Sequence, residues 1–277
     1  FREGCRMRCV RLAIVMATVL AATAALADSA AAQTRRFAVI VGVADYQNFE
    51  GLDWPDADAS SFRNALLADP RWSTLGNVQL LLNSQATKAN VQAALASVAA
   101  QADADDIVVF FYSGHGASDT DVAPYDETDG LDEYLCPYDS LLSSYANDIR
   151  DDELSNWLGA IHAGSVVVIL DTCFSGGMGD NVSLAELVDG SRVKTLTPDV
   201  KGSLPGDGMA EDLQRGNATA LGDVTAMLDT PTNTVVLAAC AEDEYSFEFS
   251  SLGHGLFTYY VLDAMSKVGG DADRSWN

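Results

Sequence analysis

Short apolar, β-branched runs alternate along this chain with longer stretches whose apolar residues recur every three or four positions. Residues 36–46 (RFAVIVGVADY), 77–83 (NVQLLLN), 105–117 (DDIVVFFYSGHGA), 166–178 (VVVILDTCFSGGM, as far as its aspartate) and 232–244 (TNTVVLAACAEDE) predict buried strands. Helical spacing marks 56–69, 87–101, 151–162 and 255–267. This order predicts an α/β fold, a three-layer α/β/α sandwich with a mostly parallel central sheet and helices on both faces. Residues 179–232 are rich in Gly, Asp, Pro and Thr and lack long apolar periodicity, so they read as a linker between regions 36–178 and 233–277.

The first residues need separate treatment. Arg2, Arg6, Arg8 and Arg11 precede an apolar run from Leu12 to Leu26 that ends in Ala25-Leu26-Ala27, the small-x-small pattern of a cleavage site. Residues 1–27 therefore read as a secretory signal peptide, and the mature protein is expected to be exported, periplasmic or secreted. The run, about 15 residues, is shorter than the roughly 20 that cross a bilayer, so no stable membrane span is expected after its removal.

Removing the leader takes four arginines and Glu3 from 16 basic and 40 acidic residues, leaving 12 and 39 and a formal charge of −27. Nucleic acid and anionic membrane surfaces are poor partners for such a surface, whereas basic peptides and divalent cations suit it. Hydrophobic content of 48% is enough to build a full core. The mature chain keeps Cys136, Cys173 and Cys240, an odd number, so at least one thiol has no partner within the chain. Cys136 and Cys240 could join as a disulfide in an oxidising compartment.

In open α/β sheets functional groups gather at the carboxyl ends of the strands. One strand end delivers Ser113-Gly114-His115-Gly116, and another delivers Asp171-Thr172-Cys173-Phe174-Ser175-Gly176. A thiol nucleophile needs a group that takes its proton and protonates the leaving amine, and histidine titrates in the useful range. The flanking glycines let a substrate backbone approach closely. His115 and Cys173 together predict a catalytic dyad. His162 and His254 read as helix-end and loop residues rather than ligands.

The stretches FFYSGHGA and ILDTCFSGG, with the acidic 126–140 (DETDGLDEYLCPYDS) and DDEL between them, resemble the metacaspase branch of the caspase fold. The resemblance spans roughly Arg36 to Lys267. It implies a cysteine endopeptidase, with 36–178 like a large subunit, 179–232 a linker or processing loop, and 233–277 like a small subunit that is cut short at its C-terminus. It further implies an acidic primary pocket built from Asp58 and Asp171, with Ser113 and Tyr245 also contacting substrate, and cleavage after Arg or Lys. An oxyanion would be held by the backbone N–H groups of Gly114 and Cys173. The acyl-enzyme thioester would be hydrolysed by water, chemistry that requires no cofactor. Calcium activation is implied through Asp132, Asp151, Asp152 and Asp180. Asp151 and Asp152 also open a helix, where acids favour the dipole without any metal.

Arg192, Lys194, Lys201 and Arg215 lie in the expected exposed linker and match the implied specificity, so self-cleavage there is a further expectation. Two alternatives differ in kind. One is a legumain-like or gingipain-like relative with a different primary pocket, which a panel of short peptides separates. The other is a non-catalytic caspase-like module that binds peptides or acts as a scaffold.

Overall fold

The computed structural model describes residues 34–73, 77–125, 130–173, 191–194, 233–240 and 245–268. The expected leader, Asp180, Lys201, Arg215 and the end of the chain lie outside the described residues.

The described chain runs β1 (Arg36–Gly42), α1 (Pro55–Leu67), α2 (Pro70–Ser73), β2 (Val78–Leu82), α3 (Lys88–Ala99) and β3 (Ile107–Ser113). It continues through β4 (Gly116–Thr120), β5 (Leu131–Leu135), β6 (Ile149–Arg150), α4 (Asp151–Gly159) and β7 (Ser165–Asp171). Beyond these come β8 (Ser191–Val193), β9 (Thr234–Ala238), β10 (Phe247–Phe249), β11 (His254–Gly255) and α5 (Leu256–Val268). Strands β2-β1-β3-β7-β9 form one all-parallel sheet in that order.

Residue alternation on the strands assigns the two helical layers. Ala38 and Ile40 of β1 and Phe111 of β3 pack with Phe62 and Leu66 of α1 and with Phe257 and Val261 of α5. On the opposite face Val39 and Val41, with Phe110 and Val168, pack against Val91 and Leu95 of α3 and Leu154 and Leu158 of α4. Phe62 and Phe111 stack with centroids 4.5 Å apart, and both are essentially buried. Fully burying each ring contributes about 2–3 kcal/mol. Pro55 starts α1 and the Thr87 side chain caps α3, accepting from Asn90 N at 3.3 Å.

The sandwich over a parallel sheet is as expected, but three details differ. The strand expected over 105–117 stops at Ser113, because Gly114 and His115 turn the chain into β4, which starts a separate antiparallel sheet β4-β5-β6. The expected linker contains β8, which pairs antiparallel with β10. No disulfide joins Cys136 to Cys240, since Cys136 sits in the main core and Cys240 clusters with Cys173. Among the described residues, no helix is long and apolar enough to cross a membrane.

Candidate active site

The register of the central sheet brings the two chemistry-bearing strand ends together. β3 and β7 are parallel neighbours with Ser113 opposite Asp171, so His115 and Cys173 each lie two residues past the same rung. Gly116 seals the juxtaposition: a Cβ there would collide with the Cys173 carbonyl oxygen, so only glycine permits this approach.

The Cys173 thiol is buried between backbone groups of Ser246, accepting from its N–H at 2.7 Å and donating to its carbonyl at 3.2 Å. Tyr46 fixes His115 in two ways: its hydroxyl accepts the His115 backbone N–H at 2.7 Å, and its ring lies 5.1 Å from the imidazole. Phe49 stacks on Tyr46 at 4.5 Å and extends this aromatic wall. His115 Nδ1 is buried and has no hydrogen-bond partner among the described residues. Burial pushes the His115 pKa down to about 4, helped by the positive charge of Lys194 and only partly offset by backbone hydrogen bonding. The ring is therefore neutral near pH 7, with a nitrogen able to accept a proton.

Below His115 and Cys173 lies a closed acidic pocket. Asp58, on the first turn of α1, and Asp171, the last residue of β7, are both fully buried. Asp58 accepts from Ser113 Oγ at 2.8 Å and from Gly255 N at 3.0 Å, and its Oδ1 lies 2.9 Å from His254 Nδ1. Asp171 accepts from Ser246 Oγ at 2.8 Å and from Thr258 N at 3.1 Å and Oγ1 at 2.5 Å. Gly255 closes the wall, and a Cβ there would collide with the Asp171 carboxylate and the Lys194 ammonium.

Lys194 fills the pocket. Its ammonium is fully buried, 2.9 Å from Asp171 Oδ1 and 3.1 Å from Asp58 Oδ2, and it donates to Ser113 Oγ at 2.9 Å. Burial alone would lower the Lys194 pKa, but the two carboxylates outweigh it and raise the pKa above the ordinary lysine value. Burial likewise pushes Asp58 up, yet Lys194 with the His254 and Ser113 hydrogen bonds brings it below the usual carboxylate range. The backbone of this segment is held too: Lys194 N donates to Ser246 O at 3.1 Å, and Lys194 O accepts from Gly116 N at 3.0 Å.

The other expected site residues divide. The structure brings His115, Cys173, Asp58, Asp171 and Ser113 together, and Tyr245 packs with Phe247, Val193 and Cys240 in the cluster around Cys173. Gly114 N–H points to the Asp171 carbonyl at 3.4 Å, whereas Gly116 N–H meets the Lys194 carbonyl. Lys194 is not exposed, and His254 is a pocket residue rather than a loop bystander. Ser246 and Thr258 are absent from the sequence-based expectation, since a small hydroxyl residue before a short strand or in a first helical turn carries no pattern of its own.

Asp132 and Asp152 already share a cation. Arg150 lies 3.5 Å from Asp132 and 3.0 Å from Asp152, and Asp132 also accepts from Val122 N at 3.0 Å. Asp151 is buried at the start of α4. Among the described residues no group of three or more His, Cys, Asp or Glu side chains is placed to hold a metal.

Comparison with known proteins gives two findings. A family described as the caspase domain, peptidase C14, matches residues 35–274. The crystal structure of a protein from Geobacter sulfurreducens is similar at 23% identity and a TM-score of 0.56, over 84% of this chain and 82% of that one. That likeness concerns the fold. No curated protein matches the sequence.

Proposed function

The chain belongs to the caspase domain family of cysteine peptidases, and from that premise we propose that it is an endopeptidase that cuts after lysine or arginine through a His115–Cys173 dyad. The observation that carries this reading is Lys194, a basic side chain held by two buried carboxylates while its carbonyl accepts a hydrogen bond beside the thiol. A backbone N–H aimed at that carbonyl is the donor an oxyanion needs, which assigns the role to Gly116 with the N–H of Cys173.

In the proposed reaction, neutral His115 takes the thiol proton as the Cys173 sulfur attacks the carbonyl carbon. The carbon–nitrogen bond then breaks, and the proton passes to the leaving amine. Water, with His115 as base, cleaves the thioester and regenerates the thiol. The pocket favours a guanidinium or ammonium by charge-assisted bonds and repels an acidic side chain. Lys194 stands where the primary substrate residue would stand, so we infer that the chain first cuts the bond on the carboxyl side of Lys194. Until that cut, Lys194 excludes other substrates.

Export after leader removal is part of the same reading, as is calcium as an activator, although calcium binding at Asp132 and Asp152 would have to displace Arg150. The experiment is hydrolysis of fluorogenic peptides ending in Arg, Lys, Asp or Asn, with and without millimolar calcium, together with mass spectrometry of the chain. The expected result is turnover after Lys and Arg and a cut after Lys194. Turnover after Asn or Asp instead would overturn the pocket assignment, and an intact chain alongside peptide turnover would overturn self-cleavage.

A stability prediction comes from the buried imidazole. An unfolded histidine titrates near 6.5, whereas His115 in the fold titrates at about 4. Below about pH 6.5 the unfolded chain takes up a proton that the folded chain refuses. The stability contributed by neutral His115 is therefore full above that pH and is lost as pH falls toward 4, by about 1.4 kcal/mol per unit. Denaturant unfolding of wild type and His115→Gln between pH 7.5 and 4.5 should show the variant's stability falling less steeply. Parallel pH profiles would refute it.

A further inference from the structure

Lys194 is only one end of an occupied groove. β8 lies antiparallel to β10, with Ser191 opposite Phe249, Arg192 opposite Glu248 and Val193 opposite Phe247, so an edge strand of the protein holds this segment by its backbone. Successive side chains of an extended strand point to opposite sides. Val193 accordingly turns into the apolar cluster of Tyr245, Phe247 and Cys240, while Arg192 and Lys194 share the other side.

Arg192 meets its own acidic surface. Nη1 donates to the Gly51 carbonyl at 2.9 Å and lies 3.4 Å from Glu50 Oε1, and Nε lies 3.3 Å from Asp53 Oδ2. These groups belong to the loop between β1 and α1, away from the primary pocket. The loop is pinned to the groove by Glu248 of β10, whose buried carboxylate accepts from Asp53 N at 2.7 Å and Trp54 N at 3.0 Å. One edge strand thus fixes both the register of the bound segment and the height of the acidic loop above it.

We propose that this groove reads an extended peptide of the pattern basic, apolar, basic, and that Glu50, Asp53 and the Gly51 carbonyl determine a preference for arginine two residues before the cleaved lysine or arginine. The proposal deepens the peptidase reading and rests on it. Arg192-Val193-Lys194 is the chain's own copy of that pattern, and protein substrates with an exposed strand or loop of this type are the class that fits. The guanidinium matches this site better than lysine does, because it reaches a carbonyl and two carboxylates from one planar group. The surface is partly solvated, so the preference is modest and sensitive to salt.

The test uses the full chain after self-cleavage and four fluorogenic peptides: Ser-Arg-Val-Lys, Ser-Ala-Val-Lys, Ser-Glu-Val-Lys and Ser-Arg-Val-Ala. Exposed ion pairs with one charge-assisted hydrogen bond predict kcat/KM about five- to tenfold higher for the first peptide than for the second, and lower still for the third. The ratio of the first to the second should shrink at high salt and fall to about twofold in Glu50→Gln/Asp53→Asn, where the Gly51 carbonyl alone still accepts from the guanidinium. Equal rates for the first three peptides in wild type would overturn the inference while leaving cleavage after lysine standing. Failure to cut any peptide ending in Lys, or cutting Ser-Arg-Val-Ala as well as Ser-Arg-Val-Lys, would overturn the peptidase or pocket reading beneath it.

Discussion

Cys173→Ala is expected to abolish turnover of peptides ending in Lys or Arg, by roughly 10⁴-fold or more, because no other group can form the thioester. The same variant should remain a single uncut chain, with Lys194 still seated. The physical reason is that the thiol contributes little to the fold beyond its hydrogen bonds to the Ser246 backbone, so its removal leaves the sheet and the acidic pocket intact. Activity and mass should therefore separate from stability: kinetics and the cut after Lys194 disappear, while the thermal midpoint stays within a few degrees. Residual cleavage after Lys194 in this variant would place the nucleophile elsewhere.

Asp171→Asn is expected to have the second-largest effect, and on two quantities with different causes. In the uncut chain the buried Lys194 ammonium lies between Asp171 and Asp58, so losing one carboxylate leaves a fully buried cation half compensated. Breaking a buried pair in this way costs about 3–5 kcal/mol. The asparagine also turns an amide donor toward a site lined by donors from Ser246 and Thr258. Adding Lys194→Met should restore part of the stability, because the unpaired ammonium is removed while the buried Asp58 carboxylate, having lost its cation, keeps its hydrogen bonds to Ser113, His254 and Gly255. It should not restore activity, since cutting after basic residues needs the carboxylate itself. Denaturant unfolding of the single and double variants measures the first effect, and kcat/KM on a Lys peptide measures the second. A stable Asp171→Asn that still turns over Lys peptides at the wild-type rate would overturn the assignment of Asp171 to the primary pocket.

These two residues illustrate how far the primary structure can be read. The apolar runs before Ser113 and Asp171 announce buried parallel strands, and the glycines after them announce open strand ends. The strand-end residue types are legible without coordinates, and the adjacent parallel pairing of β3 and β7 then sets His115 near Cys173. Asp58 and Asp171 were assigned to a pocket through family resemblance rather than pattern, because an acid on a first helical turn reads equally well as a dipole partner.

The remainder depends on contacts across long separations. Gly116 displaces Gly114 as the carbonyl's donor because of how the chain turns out of β3, a matter of backbone direction that residue identity does not encode. Ser246, His254 and Thr258 enter the pocket from segments more than 70 residues beyond Asp171: Ser246 just before β10, His254 in the two-residue β11 and Thr258 in the first turn of α5, where no single position carries a periodic signal of pocket lining. Lys194 looks like an ordinary exposed cation within a polar linker. Only the tertiary structure shows it buried between two carboxylates.

The sequence by itself determined the layered fold and the placing of His115 and Cys173 at the ends of buried strands, because burial periodicity and strand-end residue types are local properties. The tertiary structure alone decided what fills the pocket, which backbone N–H meets the carbonyl, and that Arg192 faces Glu50 and Asp53. Those outcomes turn on two backbones meeting in one register, and register is fixed by the whole packed sheet rather than by any segment within it.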